Sequence, residues 1–156
     1  MLRTAIALTA LSCISMAATA ADVTYRKEIQ PLVAKKCLNC HGASSPYFGE
    51  FDEDKKKFEA QFKGPRMDTY ADLIFFVGWP DTGALMRRLD DGKGSEGGKP
   101  GNMYAYLGAT EEERQANLDL FKQWVGKDAW KHNRWNARGN VPAITKEDLD
   151  KVKVKY

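Results

Sequence analysis

An all-α fold is what this sequence predicts, on two observations. Several segments repeat apolar residues at helical spacing between N-cap signals and glycine stops, and no segment alternates apolar and polar residues as a half-buried strand does. The chain has 156 residues, and residues 21–156 fit a single domain by length.

Each element has its own signal. In Asp22 to Lys36, Ile29, Leu32 and Val33 share a helical face that Tyr25 extends one turn back, while Pro31 removes an amide and shortens or kinks the helix. Ala43 to Gly49 reads as loop. Glu50 to Phe62 is charged, with Phe58 and Phe62 on one helical face and Asp52 to Lys57 in solvent. Asp68 is placed to cap a helix running through Val77 to a stop at Gly78. Asp81 is placed to cap a short helix that carries Leu85, Met86 and Leu89 and ends at Gly92. The five glycines of Gly92 to Gly101 mark a loop, without the Walker spacing of a phosphate cradle or the ligand alternation of a calcium loop. The strongest helix is Glu111 to Val125: Thr110 and Glu113 form a capping box, and Leu118, Phe121 and Val125 share a face with Leu120 and Trp124 beside it. Trp130 to Asn140 is expected to wrap the surface. A last helix starts at Lys146, signalled by Thr145 and Asp148, with Ile144 and Leu149 as a staple.

Residues 1–20 have the features of a cleaved export signal: Arg3, a short apolar stretch from Ala5, and the small-x-small pattern Ala18-Thr19-Ala20. The apolar run is too short to span a bilayer, and no later segment is a transmembrane candidate. Acylation of Cys13 is the lesser reading, because Ala10 stands where a lipobox prefers Leu. Loss of Arg3 with the signal takes the formal charge from +3 to +2, a balance that gives no case for nucleic acid or an anionic membrane as partner.

With Cys13 removed, the remaining thiols are Cys37 and Cys40, in Cys37-Leu38-Asn39-Cys40-His41. Two cysteines spaced by two residues and followed by histidine are the signature of covalent c-type haem attachment, with thioethers to the porphyrin and His41 as an iron ligand. A redox dithiol would need a βαβ context that the surrounding sequence lacks. Four residues compete for the opposite face of the iron: Met103, Met86, Met67 and His132. Met103 is favoured because it follows the glycine-rich loop, where the backbone can approach a porphyrin closely. Met86 reads as core filling, Met67 precedes the Asp68 cap, and His132 lies in a polar segment. Arg87 and Arg88 suit haem propionates by their planar charge, and Trp79 could donate an indole NH to the same groups. Tyr104 and Tyr106 flank Met103 and could line the pocket. The Pro46 carbonyl is placed to accept the His41 ring NH, and Trp124 reads as a core anchor.

Ile29-Gln30-Pro31-Leu32 leading into Cys37-Leu38-Asn39-Cys40-His41-Gly42, then a Gly/Pro loop with Met103, then a helix with Trp124: in this succession the chain resembles class I c-type cytochromes. The resemblance implies a small helical bundle around one covalently bound haem, with His41 proximal and Met103 distal. It also implies a periplasmic one-electron carrier, not itself an enzyme, that passes electrons between a donor and an acceptor protein. The alternative is a haem enzyme subunit, peroxidase or sensor with an open or His-ligated iron. Residues 50–79 and the extension 126–156 exceed the minimal family pattern. Oligomeric state, partners and potential are not readable from the residues.

Overall fold

The computed structural model describes residues 22–78, 83–93, 98–130 and 144–156, and all its regular elements among them are helical. The chain enters through a π-helical turn, Tyr25–Ile29, capped by the Thr24 hydroxyl, which accepts from the Lys27 amide. It passes directly into α1 (Gln30–Lys36) and, after Cys37, α2 (Leu38–His41). The expected single helix from Asp22 is thus a wide turn plus a normal one. Pro31 sits in the first turn of α1, where a missing amide costs least.

Two charged helices follow, α3 (Phe48–Glu53) and α4 (Lys55–Ala60). The sequence places Phe58 and Phe62 on one helical face within the charged stretch Glu50 to Phe62. Asp54 breaks it at φ −143°, ψ 66° and caps α4 by accepting from the Lys57 amide. Phe62 consequently lies beyond α4, 82 % exposed and at φ 56°, and Phe58 faces Phe51 at 6.3 Å instead. Thr69, not Asp68, caps α5 (Tyr70–Phe75) by accepting from the Asp72 amide. Asp68 is taken up by Arg66. Gly83 precedes α6 (Ala84–Leu89), and the Asp81 cap proposed for it lies outside the described residues.

A 3₁₀ turn, Tyr104–Leu107, leads to α7 (Glu111–Val125), which starts on Thr110 as the sequence requires. Glu113 reaches back to the Ala109 amide at 2.8 Å, one residue upstream of a standard capping box. α8 (Lys127–Trp130) turns inward, so Trp130 is buried and does not belong to a surface wrap. α9 (Lys146–Leu149) is capped by Thr145, but Leu149 stays 43 % exposed and outside the core, so the expected staple with Ile144 contributes little.

α7 organises the core: Leu118, Phe121, Trp124 and Val125 are fully buried. They share the core with Tyr25, Ile29 and Val33 of the π turn and α1, with Leu73 of α5 and Val77 just after it, and with Leu85 of α6. Burying one such side chain stabilises by about 1.5–3 kcal/mol. Lys36 and Glu113 pair at 2.5 Å between α1 and α7. The C-terminal extension closes the same junction. Val154 and Lys153 donate backbone amides to Trp124 and Val125, and the Lys155 carbonyl accepts from the Tyr25 amide (2.8 Å) and the Trp124 indole (2.9 Å). Tyr156 stacks on Tyr25 at 5.7 Å. The tail therefore completes the hydrophobic core; it is not a loose appendage.

Candidate haem site

The last turn of α1 sets up the thiols. The Cys37 amide bonds to the Val33 carbonyl, and the amides of Cys40 and His41 both return to the Cys37 carbonyl at 3.1 and 2.9 Å. That turn places Cys37 and Cys40 on one face at i, i+3. Both are free thiols and half-buried. Burial, reinforced by Cys40, pushes the Cys37 thiol up to about 11. Cys37 is thus held as the neutral thiol at neutral pH. Together with Cys40 it would hold a porphyrin through thioether bonds, each thiol adding across a vinyl group.

His41 is held from outside its own helix. Its Nδ1 lies 2.7 Å from the carbonyl of Pro65. A carbonyl only accepts, so Nδ1 carries the proton and Nε2 keeps its lone pair for a metal. Burial, opposed by the Pro65 bond and aided by the charge of Arg88, keeps the imidazole pKa below its usual value and so favours the neutral ligand form. The partner is thus Pro65 and not Pro46. The Pro46 carbonyl instead accepts the Arg66 amide at 2.8 Å.

Residues 64–67 form a strap across the haem motif. The Gly64 amide donates to the Cys40 carbonyl and the Met67 amide to the His41 carbonyl, each at 2.8 Å. A Cβ on Gly64 would lie 2.7 Å from His41 Nδ1 and 2.9 Å from Nε2, so only glycine lets the strap lie on the ring. Arg66 stakes the strap down: it donates to Asp68 at 2.9 Å and to the Tyr47 hydroxyl at 2.9 Å, with its guanidinium 5.0 Å from the centre of the Tyr47 ring. Sequence reading missed Gly64, Pro65 and Arg66. The signal was the Gly64-Pro65 dipeptide, a mark of close backbone approach that carries no chemistry alone.

Met103 stands at the start of the 3₁₀ turn, partly buried against the core, with its amide on the Arg88 carbonyl at 2.9 Å. Gly101 donates to the Asp90 carbonyl at 2.8 Å, and a Cβ there would strike the backbone of Arg87 and Arg88. The loop bearing Met103 therefore rests on the end of α6. Met86, 2 % exposed, fills the core. Met67 is tied by its amide to His41 itself and so belongs to the His41 side. Trp79 and His132 lie outside the described residues. Arg87 is half-buried, and Arg88 is exposed and donates to the Asn102 side chain at 3.0 Å. Tyr106 is exposed, and the buried Tyr104 turns its hydroxyl to Glu111 at 2.6 Å.

Paired half-buried thiols, an imidazole with Nε2 free, and the partly buried apolar side chains of Leu38, Met67 and Met103 at the edge of the core fit a porphyrin chemically. Among the described residues no group of three or more His, Cys, Asp or Glu could hold a bare metal ion, and no helix is long and apolar enough to cross a membrane.

Comparison with known proteins agrees. The family model described as PccH cytochrome c matches residues 24–156. The chain is similar to the monoheme cytochrome PccH from Geobacter sulfurreducens, with 54% sequence identity and a TM-score of 0.76, over 86% of this chain and 99% of that one. No curated protein matches.

Proposed function

The chain belongs to the PccH cytochrome c family, and from that premise we propose that it is an exported, periplasmic one-electron carrier with His41 and Met103 as axial ligands. Membership makes it a monohaem c-type cytochrome with one covalently bound haem c, and an electron-transfer protein with redox partners. The residue assignments are our reading: Cys37 and Cys40 would attach the porphyrin, His41 would bind the iron through Nε2, and Met103 would supply a thioether as the second ligand. Export rests on the signal features of residues 1–20 and on the need to attach c-type haem outside the cytoplasm.

One observation supports the Met103 assignment above the rest: its loop is tied to the end of α6, the Met103 amide bonding to the Arg88 carbonyl and the Arg88 guanidinium donating to Asn102.

The haem supplies the electron through the Fe(III)/Fe(II) couple. The chain's residues do the rest. Pro65 fixes the His41 tautomer and ring plane, which makes the imidazole a stronger donor. A Met thioether, a weaker donor toward ferric iron, raises the potential relative to a second histidine. Arg88 is suited to a propionate carboxylate. No proton donor or base is required of the protein.

The test is the mass and spectrum of the mature holoprotein. One haem added to the processed polypeptide and a red-end ferric Met–S band are expected. Met103→Ala should abolish that band, lower the potential and open the reduced iron to carbon monoxide. Persistence of the band in Met103→Ala would sink the distal assignment.

A further inference from the structure

We propose that Gln115 is a positioning residue for the Met103 loop, clamping the chain on both sides of it from the face of α7. The proposal rests on the reading of Met103 as distal ligand for its consequence at the iron, but not for the clamp itself.

The clamp is visible in its bonds. The Gln115 side-chain amide lies 2.6 Å from the Tyr104 hydroxyl, 3.1 Å from Glu111 Oε1 and 3.3 Å from Asp91 Oδ2. Its NH₂ has two hydrogens, so one of them is shared between acceptors. The Tyr104 hydroxyl accepts from Gln115 and passes its own hydrogen to Glu111 at 2.6 Å. Each group is used in the sense its chemistry allows. Asp91 immediately precedes the glycine-rich loop, and Tyr104 immediately follows Met103. One amide on a long helix thus holds both ends of the loop.

The surrounding contacts make the clamp effective. The Asp91 carboxylate is only 5 % exposed, beside Lys93 at 3.5 Å and Lys122 at 3.9 Å, so its own position is fixed. The neighbouring Asp90 is pinned through the Trp130 indole at 2.9 Å and the Gly92 amide at 2.8 Å. Asn117, on the same helix, donates to the Leu107 carbonyl at 2.6 Å and fixes the far end of the 3₁₀ turn. Among the described residues, the loop between these anchors bonds to the end of α6 through Gly101 to the Asp90 carbonyl, Met103 to the Arg88 carbonyl and the Arg88 guanidinium to Asn102. Side-chain bonds from α7 complete the restraint. Bonds to buried or charged partners contribute enough for their loss to change local opening severalfold. A thioether must meet its metal within a narrow distance, and loosening the segment that carries it weakens ligation before it weakens the fold.

The test compares Gln115→Leu with Gln123→Leu, an exposed position further along α7, in the haem-loaded protein. Amide exchange at Gly101 and Met103 is read by NMR in the reduced state, alongside thermal loss of the ferric Met–S band and far-ultraviolet melting. The expected result for Gln115→Leu is exchange roughly tenfold faster at Gly101 and Met103, with Phe121 and Trp124 amides unchanged. The Met–S band should also fade at a lower temperature while helical melting stays put. Gln123→Leu should resemble the parent. Tyr104→Phe should reproduce the loosening, and the double variant should add little, as expected for partners in one network. Unchanged exchange at Gly101 and Met103 in Gln115→Leu overturns the clamp, even with the Met103-dependent band intact. Faster exchange without any Met–S band in the parent protein upholds the clamp and removes the ligand assignment instead. A fall in global melting with exchange raised equally throughout α7 also overturns the clamp, since Gln115 would then serve the helix and not the loop.

Discussion

The two sides of the haem site are built differently. On the His41 side, backbone meets backbone. Gly64 and Met67 donate to Cys40 and His41, Pro65 accepts from the imidazole, and the Ser45 hydroxyl adds a bond to the Cys40 carbonyl at 2.9 Å. On the Met103 side, backbone bonds to the end of α6 are supplemented by side chains, Arg88 of α6 and Gln115 and Asn117 of α7. The first arrangement depends on the path of the chain and tolerates no added atom at the contact. The second depends on individual side chains, so it can be adjusted by single substitutions without rebuilding the fold. A proximal ligand next to two covalent attachments needs fixed geometry, and a distal ligand on a loop can be tuned.

The largest effect should come from adding one carbon to the rigid side. Gly64→Ala would place a methyl group against the His41 ring. It should lower stability by about 1–3 kcal/mol, the usual range for overpacking, as measured by urea unfolding of the haem-loaded protein. A neutral result would mean that the strap can lift away, and the contrast between the two sides would fail.

Gly101→Ala makes the corresponding addition on the other side, against the backbone of Arg87 and Arg88. The loop can move outward with the core intact, so the expected loss of stability is smaller than for Gly64→Ala. The Met–S band should suffer first. A Gly101→Ala protein that melts earlier than Gly64→Ala would reverse the order.

The smallest effect is on acid stability. Burial would raise the Asp91 pKa, but the Lys93 amide, Gln115, Lys122 and the Lys93 charge together hold it below the ordinary carboxylate range. A carboxyl with a depressed folded pKa contributes stability that is fully present above its unfolded value near 4 and is lost as pH falls through the folded value. Asp91→Asn should therefore flatten the acid limb of a pH–stability curve below about pH 4 while lowering stability at neutral pH. An unaltered acid limb in Asp91→Asn would show that this end of the clamp carries no charge-dependent stability.

Much of the molecule was legible from residue order. The thiol pair, His41 and α7 with its Thr110 cap are local patterns, settled within one or two turns of chain. So was the all-helical class, because helical periodicity is a property of neighbouring residues. Elements whose boundaries depend on neighbours were less legible. The Glu50 to Phe62 stretch split at Asp54 because a short acidic side chain caps a new helix better than it continues an old one. Asp68 lost its expected role as a cap because Arg66 competes for it.

Sequence by itself thus determined the c-type haem signature, since Cys37, Cys40 and His41 stand within five consecutive residues, and membership of a monohaem cytochrome family agrees with it. Only the tertiary structure decided how the ligands are oriented: that Pro65, not Pro46, holds the His41 ring, that Met86 is consumed by the core, and that Gln115 spans the Met103 loop. The physical reason is range. Helix periodicity and motif chemistry act over a few residues, whereas a hydrogen bond from residue 41 to 65 or from 91 to 115 exists only after distant segments have packed.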